Sequence, residues 1–423
     1  MSVEITRLSN GLTVVTETMP HLETSALGVW VNTGARHERT EEHGLSHLLE
    51  HMAFKGTTTR SPRDIAEEIE AVGGDLNAAT GLETTAYFAR VLKGDEGIAL
   101  QIIADILQNS TFAEDELERE REVILQEIAG TLDSPDDIVF DLVQDAAFPG
   151  QPAGRTILGT PDSVKAISRS KLKDFLAERY HPAGMVLSGA GAIRHEDAVR
   201  HAEALFGALI NGGSGVEEPA LYQGGVRSSS RKFEQAHLVM GFEAPSYREP
   251  EFFAAQVLSG VLGGGMSSRL FQEVREKRGL CYAIYSTSWG LKDSGLFAVH
   301  AATGPGMIGE LIDVVSDEID RMAASGPDEA EVARAKAQLK AGLMMSLESC
   351  SARAEQLARQ ILLHGSVLST SDIVAFVDRV SADDVRALAQ RLRRREACVA
   401  VVGAGRNSGN FAARAGARLG ALA

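Results

Sequence analysis

The sequence predicts an α+β fold of two duplicated domains, each a sheet with helices packed on one face. Three observations predict it. The chain has 423 residues, more than one hydrophobic core usually holds. A segment rich in Gly, Ser and Pro divides it near the middle. The two halves also resemble each other at a period of about 211–215 residues. We therefore predict an N-terminal domain at 1–210, a linker at 211–232 and a homologous C-terminal domain at 233–423.

The order of elements is similar in the two halves. Each half begins with a short apolar strand, at 26–31 and at 237–242, and a polar loop and a helix follow it. Late in each half an acidic amphipathic helix begins, near Ala113 and near Asp328. This common order predicts that the two domains share one topology.

Each half closes with an apolar strand ending in Gly-Ala-Gly, at 185–191 and at 398–405. Such a segment invites comparison with the dinucleotide-binding fingerprint, whose sixth position should be Gly or Ala. That position holds Arg194 in one copy and Ser408 in the other. A turn common to both halves is therefore the better interpretation.

Composition excludes several classes of protein. The chain carries 42 basic and 58 acidic residues, a net charge of −16, whereas nucleic-acid binding requires a basic surface. No apolar run approaches the roughly 18 residues of a membrane span. Three scattered cysteines, Cys281, Cys350 and Cys398, are too few for a disulfide framework or a cysteine-based metal site. With no recognisable secretion signal at the N-terminus, these features predict a cytoplasmic protein.

The strongest local signal for chemistry is the segment HLLEH at 47–51, within a predicted helix from about 43 to 54. His47 and His51 are separated by four positions, so their rings project from one face and can bind one ion. Glu50 lies on the same face and can reach a water on that ion as a general base. The alternative is a solvated helix face. The helix is largely apolar, however, so three titratable groups on one face favour a metal site.

A catalytic zinc usually takes three protein ligands and leaves one position open. The third should come from the acidic helix that begins near Ala113, whose apolar stripe contains Leu117, Ile124 and Ile128. Glu127 lies at the edge of this stripe, and Glu120 lies two turns earlier on the same face. A salt bridge could satisfy either carboxylate, so spacing alone leaves the third ligand open.

His-x-x-Glu-His followed about 75 residues later by a glutamate within Val-Ile-x-x-Glu resembles the inverzincin peptidases of family M16. The likeness covers essentially the whole chain and is strongest to short bacterial members similar to the β subunit of the mitochondrial processing peptidase. It implies that His47, His51 and Glu127 bind one zinc ion per chain. It also implies that Glu50 is the general base and that Glu120 supports the site.

The same resemblance assigns further residues. The segment from Gly73 to Val91 looks like the strand whose Asn77 and Ala78 pair with the substrate backbone, while Phe54 would line a pocket beside the metal. Arg275 and Tyr282 resemble a pair that contacts the substrate opposite the zinc. From the residues alone, the first segment is an ordinary strand, Phe54 a core residue and Arg275 one of several exposed charges. At an offset of about 211, Leu258, Val261 and Leu262 take the places of the metal-site residues, so the second half lacks these ligands.

The implied activity is zinc-dependent cleavage of peptides or unfolded segments inside a closed chamber. Two alternatives remain: a non-catalytic or partner-dependent subunit of a processing-peptidase-like heterodimer, and a different zinc hydrolase. The resemblance to the processing-peptidase branch also implies that Asp137 and Asp141 read an arginine near the cleaved bond, although a charged helix start explains them equally well. Because longer relatives carry four such domains, two copies of this chain are expected to form a homodimer with sites shared across the interface.

Overall fold

Two sheets and fifteen α-helices form among residues 3–212 and 217–420, the part of the chain that a computed structural model describes. Numbered in chain order, the strands are β1 (Val3–Arg7), β2 (Thr13–Thr18), β3 (Thr24–Val31), β4 (Asp75–Thr80), β5 (Thr85–Leu92), β6 (Met185–Gly191), β7 (Gly225–Glu243), β8 (Cys281–Gly290), β9 (Gly295–Thr303) and β10 (Cys398–Ala404).

The helices are α1 (Leu45–Ala53), α2 (Pro62–Ala71), α3 (Glu96–Gln108), α4 (Glu114–Asp133), α5 (Pro135–Ala147), α6 (Pro161–Ala166), α7 (Arg169–Arg179), α8 (His195–Phe206), α9 (Phe252–Gly263), α10 (Ile308–Ser325), α11 (Glu329–Ser346), α12 (Cys350–His364), α13 (Thr370–Arg379), α14 (Ala382–Leu392) and α15 (Ser408–Arg418). No helix of the described part is long and apolar enough to cross a bilayer.

The two sheets share one topology apart from β1, which has no counterpart in the second sheet. The first has the order β1-β2-β6-β3-β5-β4, in which only β2 and β6 are parallel. In the second, with the order β10-β7-β9-β8, β7 lies on both sides of β10. It pairs in parallel at 225–228 and antiparallel at 237–241. The two parts of β7 thus take the places of β2 and β3, and β10 takes the place of β6. The predicted duplicated α+β fold is confirmed.

Each compact unit takes one helical segment from the other half of the chain. The first unit comprises the chain up to Ile128, Thr156–Glu218 and Met344–Val367, which contains α12. The second comprises Ala129–Arg155, which contains α5, together with Pro219–Leu343 and the chain from Leu368 onwards. The packed units are therefore discontinuous in sequence. The predicted domains at 1–210 and 233–423 are continuous; they describe the repeat along the sequence and stay a prediction.

The borrowed helix covers the sheet face opposite the main core. In the first unit the main core lies between the sheet and helices that include α1, α3, α4 and α8. On the other face α12 buries an apolar cluster, whose sheet members include Val15, Trp30 and Val186 and whose helix members include Leu357 and Ile361. In the second unit α9, α10, α14 and α15 cover one face, and α5 packs on the other. Most helices lie on one face, as predicted, and one helix closes the second face of each sheet.

Two segments differ from the sequence prediction. The segment from Gly73 to Val91 forms a hairpin rather than one strand, because the chain turns back between β4 and β5. Strand β7 already begins at Gly225, inside the segment predicted as linker at 211–232. Its Ser- and Arg-rich composition resembled a linker because alternate residues of this stretch are exposed.

Candidate metal centre

Helix α1 places three chemically active side chains on one face of the first unit. His47 is buried, and Glu50 and His51 are half-buried. The helix runs from Leu45 to Ala53, one to two residues shorter at each end than predicted. Its remaining residues are mostly apolar and belong to the core of the unit. The predicted spacing therefore produces the expected shared face.

The start of α1 is fixed by a glycine and a buried carboxyl group. Gly44 has φ of 91°, a left-handed conformation, and a Cβ there would lie 2.7 Å from the Leu158 carbonyl oxygen. The Glu38 carboxyl group accepts hydrogen bonds from the backbone N–H groups of Gly44 and Ser46 at 2.8 and 2.6 Å. It thereby satisfies two donors at the N-terminus of α1. Burial raises the pKa of Glu38 to about 8.

Helix α4 brings the two predicted carboxylates to α1. Leu117, Ile124 and Ile128 are buried and hold the helix on the core of the first unit, as predicted from the apolar stripe. Glu120 is buried, whereas the side chain of Glu127 is 44% exposed. The two carboxylates therefore meet α1 in different environments.

Three potential ligand atoms converge between α1 and α4. Glu127 Oε2 lies 3.7 Å from His47 Nε2 and 3.8 Å from His51 Nε2. One ligand atom from each of these three side chains falls within 4.8 Å of the others. The structure thus brings together the three residues that the resemblance selects.

Glu120 acts on one of these histidines. Its Oε2 lies 3.0 Å from His51 Nδ1, and its Oε1 lies 2.7 Å from Lys55 Nζ. A carboxylate only accepts hydrogen bonds, so His51 Nδ1 carries the proton and its Nε2 keeps a free lone pair. With both oxygens engaged, Glu120 orients His51 rather than joining the converging group.

The environment shifts the pKa values of His47 and Glu50 in opposite directions. Burial, and to a smaller extent His51, lowers the pKa of His47 to about 4, so its ring is neutral at pH 7. Burial raises the pKa of Glu50, and hydrogen bonding from Thr80 opposes the shift. Glu50 Oε2 is buried without a hydrogen-bond partner among the described residues. A carboxylate with a raised pKa and an unused oxygen suits proton transfer.

The donor set fits a divalent transition-metal ion such as zinc. It offers two imidazole nitrogens and one carboxylate oxygen, the ligand types of catalytic zinc sites. A tetrahedral ion with bonds of about 2.1 Å would hold such ligands roughly 3.4 Å apart. The observed separations of 3.7 and 3.8 Å need only a small contraction.

Strand β4 lies at the edge of the first sheet, and its last residue, Thr80, contacts Glu50. The exposed Asn77 and the buried Ala78 lie three and two residues earlier. The side-chain oxygen of Asn77 accepts a hydrogen bond of 2.8 Å from the Ala78 backbone N–H. The Asn77 side chain therefore occupies a backbone donor at the edge of the sheet. Phe54 packs against the core of the unit, and its pocket role beside the metal stays a prediction.

Arg275 and Tyr282 lie in the second unit and contact each other. The Arg275 guanidinium lies 4.6 Å from the centre of the Tyr282 ring and 4.7 Å from that of Phe271. Arg275 belongs to a π-helical turn, Phe271–Glu276, and Tyr282 is the extra residue of an irregularity in β8. Tyr282 is 77% exposed, so this pair presents an aromatic and a cation to solvent.

Asp137 and Asp141 lie on α5, within its first two turns, and also belong to the second unit. Ser134 caps this helix and accepts a hydrogen bond from the Asp137 backbone N–H. Burial, together with Asp137, raises the pKa of Asp141 to about 6. The pair is a helix-start carboxylate pair, as sequence reasoning allowed, and its role toward substrate stays a prediction.

Three contributors to the site were missed from the sequence. Lys55 follows His51 by four positions, a spacing that could have indicated a contact on the same face. Thr80, at the end of a strand, and Glu38, in a loop, both contact residues of α1 or its start. No local sequence pattern predicts either contact. Long-range packing, rather than helical spacing, supplies these two.

Solved structures share this fold. A protease from Helicobacter pylori superimposes with a TM-score of 0.87 at 21% identity, covering 95% of this chain and 99% of that one. A peptidase M16 inactive domain from Pseudomonas fluorescens gives a TM-score of 0.88 at 21% identity, covering 95% and 98%.

Sequence comparisons identify the family. The profile described as Insulinase (Peptidase family M16) matches residues 13–161, and the profile described as Peptidase M16 inactive domain matches 166–339. An uncharacterized zinc protease of Rickettsia bellii is 40% identical over 406 residues, covering 96% of this chain and 98% of that protein. Another, of Streptomyces coelicolor, is 38% identical over 411 residues, covering 95% and 90%. Their similarity extends over nearly the whole chain, and the chain therefore belongs to peptidase family M16.

Proposed function

We propose that this protein is a zinc-dependent endopeptidase that cleaves peptides or unfolded polypeptide segments. The observation that carries the proposal is the convergence of His47 Nε2, His51 Nε2 and Glu127 Oε2 beside the unpaired oxygen of Glu50. The names of the M16 relatives, which are zinc proteases, support it.

Within this site, the chain's own residues have separate roles. Zinc, when bound, supplies the Lewis acidity that makes a water nucleophilic near neutral pH and polarises a peptide carbonyl. Glu50 takes a proton on Oε2 and returns it to the leaving amine, a role for which its raised pKa is suited. Glu120 fixes the orientation of His51 through the Nδ1 hydrogen bond.

Substrate recognition is assigned to three further groups. Edge strand β4 would accept an extended peptide near Asn77 and Ala78, after the Asn77 side chain releases the Ala78 N–H. Arg275 and Tyr282 would contact substrate backbone and developing charge, since Tyr282 is exposed, Arg275 is half-buried beside it, and their mutual contact preorganises them. Phe54, Asp137 and Asp141 would contribute side-chain preference.

The chelator dependence of peptide cleavage tests this function. The protein, stripped with a chelator and then reloaded with zinc, is incubated with a library of unstructured peptides, and the products are identified by mass spectrometry. Cleavage of internal peptide bonds should vanish on stripping and return with zinc. Zinc-dependent hydrolysis of esters or amides without peptide cleavage would identify a different zinc hydrolase.

A non-catalytic or partner-dependent subunit is the other candidate, because an inactive-domain profile matches 166–339 and the Pseudomonas fluorescens structure is also an inactive domain. The complete set of His47, Glu50, His51 and Glu127 argues for catalysis, because it combines three potential ligands with a carboxylate suited to proton transfer. A zinc-loaded protein that cleaves nothing until a related second chain is added would favour the subunit.

We further propose that two copies pair and share each site, with Arg275 and Tyr282 contributed by the partner. Glu50→Gln and Arg275→Ala are each expected to be inactive. After subunit exchange at equal concentrations, half of the dimers are mixed and each has one intact site, so about a quarter of wild-type activity should return. A mixture that stays inactive, with exchange confirmed by mass, would mean that each chain builds its site alone.

The setting of the protein is proposed to be the cytoplasm, without nucleic-acid or membrane partners. The net charge of −16 supports this view, because an acidic surface repels phosphate groups. Cell fractionation with an antibody against the chain tests it, and recovery in the membrane pellet would contradict it.

A further inference from the structure

A second group of three potential ligand atoms lies in the second unit, in residues that the proposed peptidase site does not use. Asp136 Oδ1 lies 3.0 Å from His237 Nδ1 and 3.2 Å from His300 Nε2, and the two ring nitrogens lie 3.3 Å apart. Among the described residues, this trio and the one at His47, His51 and Glu127 are the two groups that could hold a metal ion.

The sheet of the second unit sets the positions of the two histidines. His237 lies on β7 opposite Ala302, and His300 lies on the neighbouring strand β9 opposite Val239. The residues next to them, such as Leu238 and Val299, point into the main core. By the alternation of a strand, both imidazoles therefore point to the face covered by α5.

Asp136, in the first turn of α5, supplies the third potential ligand atom of the group. The side chains of His237 and His300 are only 5% and 3% exposed, whereas that of Asp136 is 59% exposed. The ring of Phe140 stacks on His300 at 5.6 Å, and the ring of Tyr285 lies 5.0 Å away. The group is thus walled by aromatic rings and open to solvent on the side of Asp136, which provides an entry path for an ion.

The hydrogen bonds of this triangle cannot all be favourable while Asp136 is a carboxylate. If both facing nitrogens carry protons, the two donors confront each other across 3.3 Å. If either lacks its proton, its lone pair faces the carboxylate oxygen at 3.0 or 3.2 Å. A cation at the centre removes the conflict, because all three lone pairs then point at positive charge.

We propose that Asp136, His237 and His300 form a second divalent-cation site, of the type that binds zinc. Two imidazoles and one carboxylate are ligands that zinc and neighbouring transition metals prefer. As at the first cluster, a tetrahedral ion with bonds of about 2.1 Å holds its ligands roughly 3.4 Å apart. The observed edges of 3.0, 3.2 and 3.3 Å need only a small expansion.

The site joins parts of the chain that are distant in sequence. Asp136 belongs to the helical segment that the second unit takes from the first half of the chain, and the histidines belong to its central strands. A bound ion therefore fastens α5 to β7 and β9. Its free energy of binding adds to the stability of this packing.

Zinc content per chain tests the proposal with the full-length protein. After chelator treatment, reloading with excess zinc chloride and gel filtration, elemental mass spectrometry should find two zinc ions per wild-type chain. Glu127→Gln, which disables the first site alone, should retain one, and adding His300→Ala to it should leave essentially none. Because the Glu127→Gln background reports only the second site, the result does not depend on the peptidase proposal.

Asp133→Asn is the matched control, since its exposed carboxylate lies three residues before Asp136 and outside the triangle. In the Glu127→Gln background it should keep the one ion. Where circular dichroism finds His300→Ala misfolded, Asp136→Asn replaces it, because an exposed side chain can change without disturbing the core. A Glu127→Gln chain that binds no zinc, or variants of the triangle with unchanged zinc content in that background, would overturn the proposal.

Discussion

The two candidate metal clusters use similar donors but differ in what surrounds them. In the first unit, His47 and His51 lie on one short helix, their ligand contacts to Glu127 are 3.7 and 3.8 Å, and Glu50 stands beside them. In the second, the histidines lie on neighbouring strands and the three ligand atoms are 3.0–3.3 Å apart, walled by aromatic rings.

This difference fits the two roles proposed above, hydrolysis at the first cluster and attachment of a helix to a sheet at the second. The first cluster has a nearby carboxylate with a raised pKa and another that orients a ligand, the two supporting groups that hydrolysis requires. The second has rigid strand-borne ligands and joins a helix to a sheet. Substitutions around each cluster should therefore change different quantities.

The largest effect is expected from Glu50→Gln. Glutamine cannot accept the proton, so kcat should fall by about 10³-fold or more while zinc content stays at the wild-type value. Peptide cleavage rates and elemental analysis measure the two quantities on one sample. If the variant instead lost its zinc, Glu50 would be a ligand and the assignment of Glu127 would need revision.

Glu120→Gln should weaken zinc binding at the first cluster by about 10–100-fold. The variant keeps the shape of the side chain but weakens its hold on His51 Nδ1–H and Lys55. Competition with a chromophoric chelator gives the affinity. Glu122→Gln, exposed on the same helix, is the control and should match wild type. Equal affinities for all three proteins would remove Glu120 from the site.

Glu38→Gln should change how stability depends on pH. The folded pKa of Glu38 is about 8, above its ordinary value of 4.5, so its contribution to stability is complete below about pH 4.5 and is lost as pH rises through 8. Glutamine resembles the protonated acid. In chelator, the two proteins should melt alike near pH 5, and the variant should melt a few degrees higher at pH 8.5. Parallel melting curves across this range would contradict the shift.

The smallest effect is expected from Asp137→Ala combined with Asp141→Ala. These residues share α5 with Asp136, so they test whether the helix serves substrate as well as the cation. KM for arginine-containing peptides should rise about fivefold, the equivalent of about 1 kcal/mol, and KM for neutral peptides should not change. Asp145→Ala, further along α5, provides the control. Equal changes for both peptide classes would remove the pair from the site.

Helical spacing predicted the α1 part of the first cluster and the helix that carries its third ligand, whereas the family resemblance selected Glu127 over Glu120. His47, Glu50 and His51 fall within five positions, and the apolar stripe of α4 shows which face Glu127 borders. The second cluster has no such local signal. Asp136 and His237 are separated by 101 positions, and His237 and His300 by 63, so only the register of β7 with β9 brings them together.

The same distinction explains the fold. The duplicated order of strands and helices was visible because strand and helix periodicities are local. The assignment of α5 and α12 to the opposite halves was not, since an apolar stripe on a helix does not identify the sheet that it covers. Likewise, the first part of β7 resembled a linker because its pairing with β10 is long-range.

The position of α12 in the chain has a consequence for biosynthesis. The ribosome completes β2, β3 and β6 well before it makes Cys350–His364, the helix that covers Val15, Trp30 and Val186. Until then a nascent chain carries an apolar sheet face without its cover, the kind of surface that chaperones bind. A chain released before α12 would keep that face exposed and be prone to aggregate. The first unit therefore matures only after most of the second half of the chain has been translated.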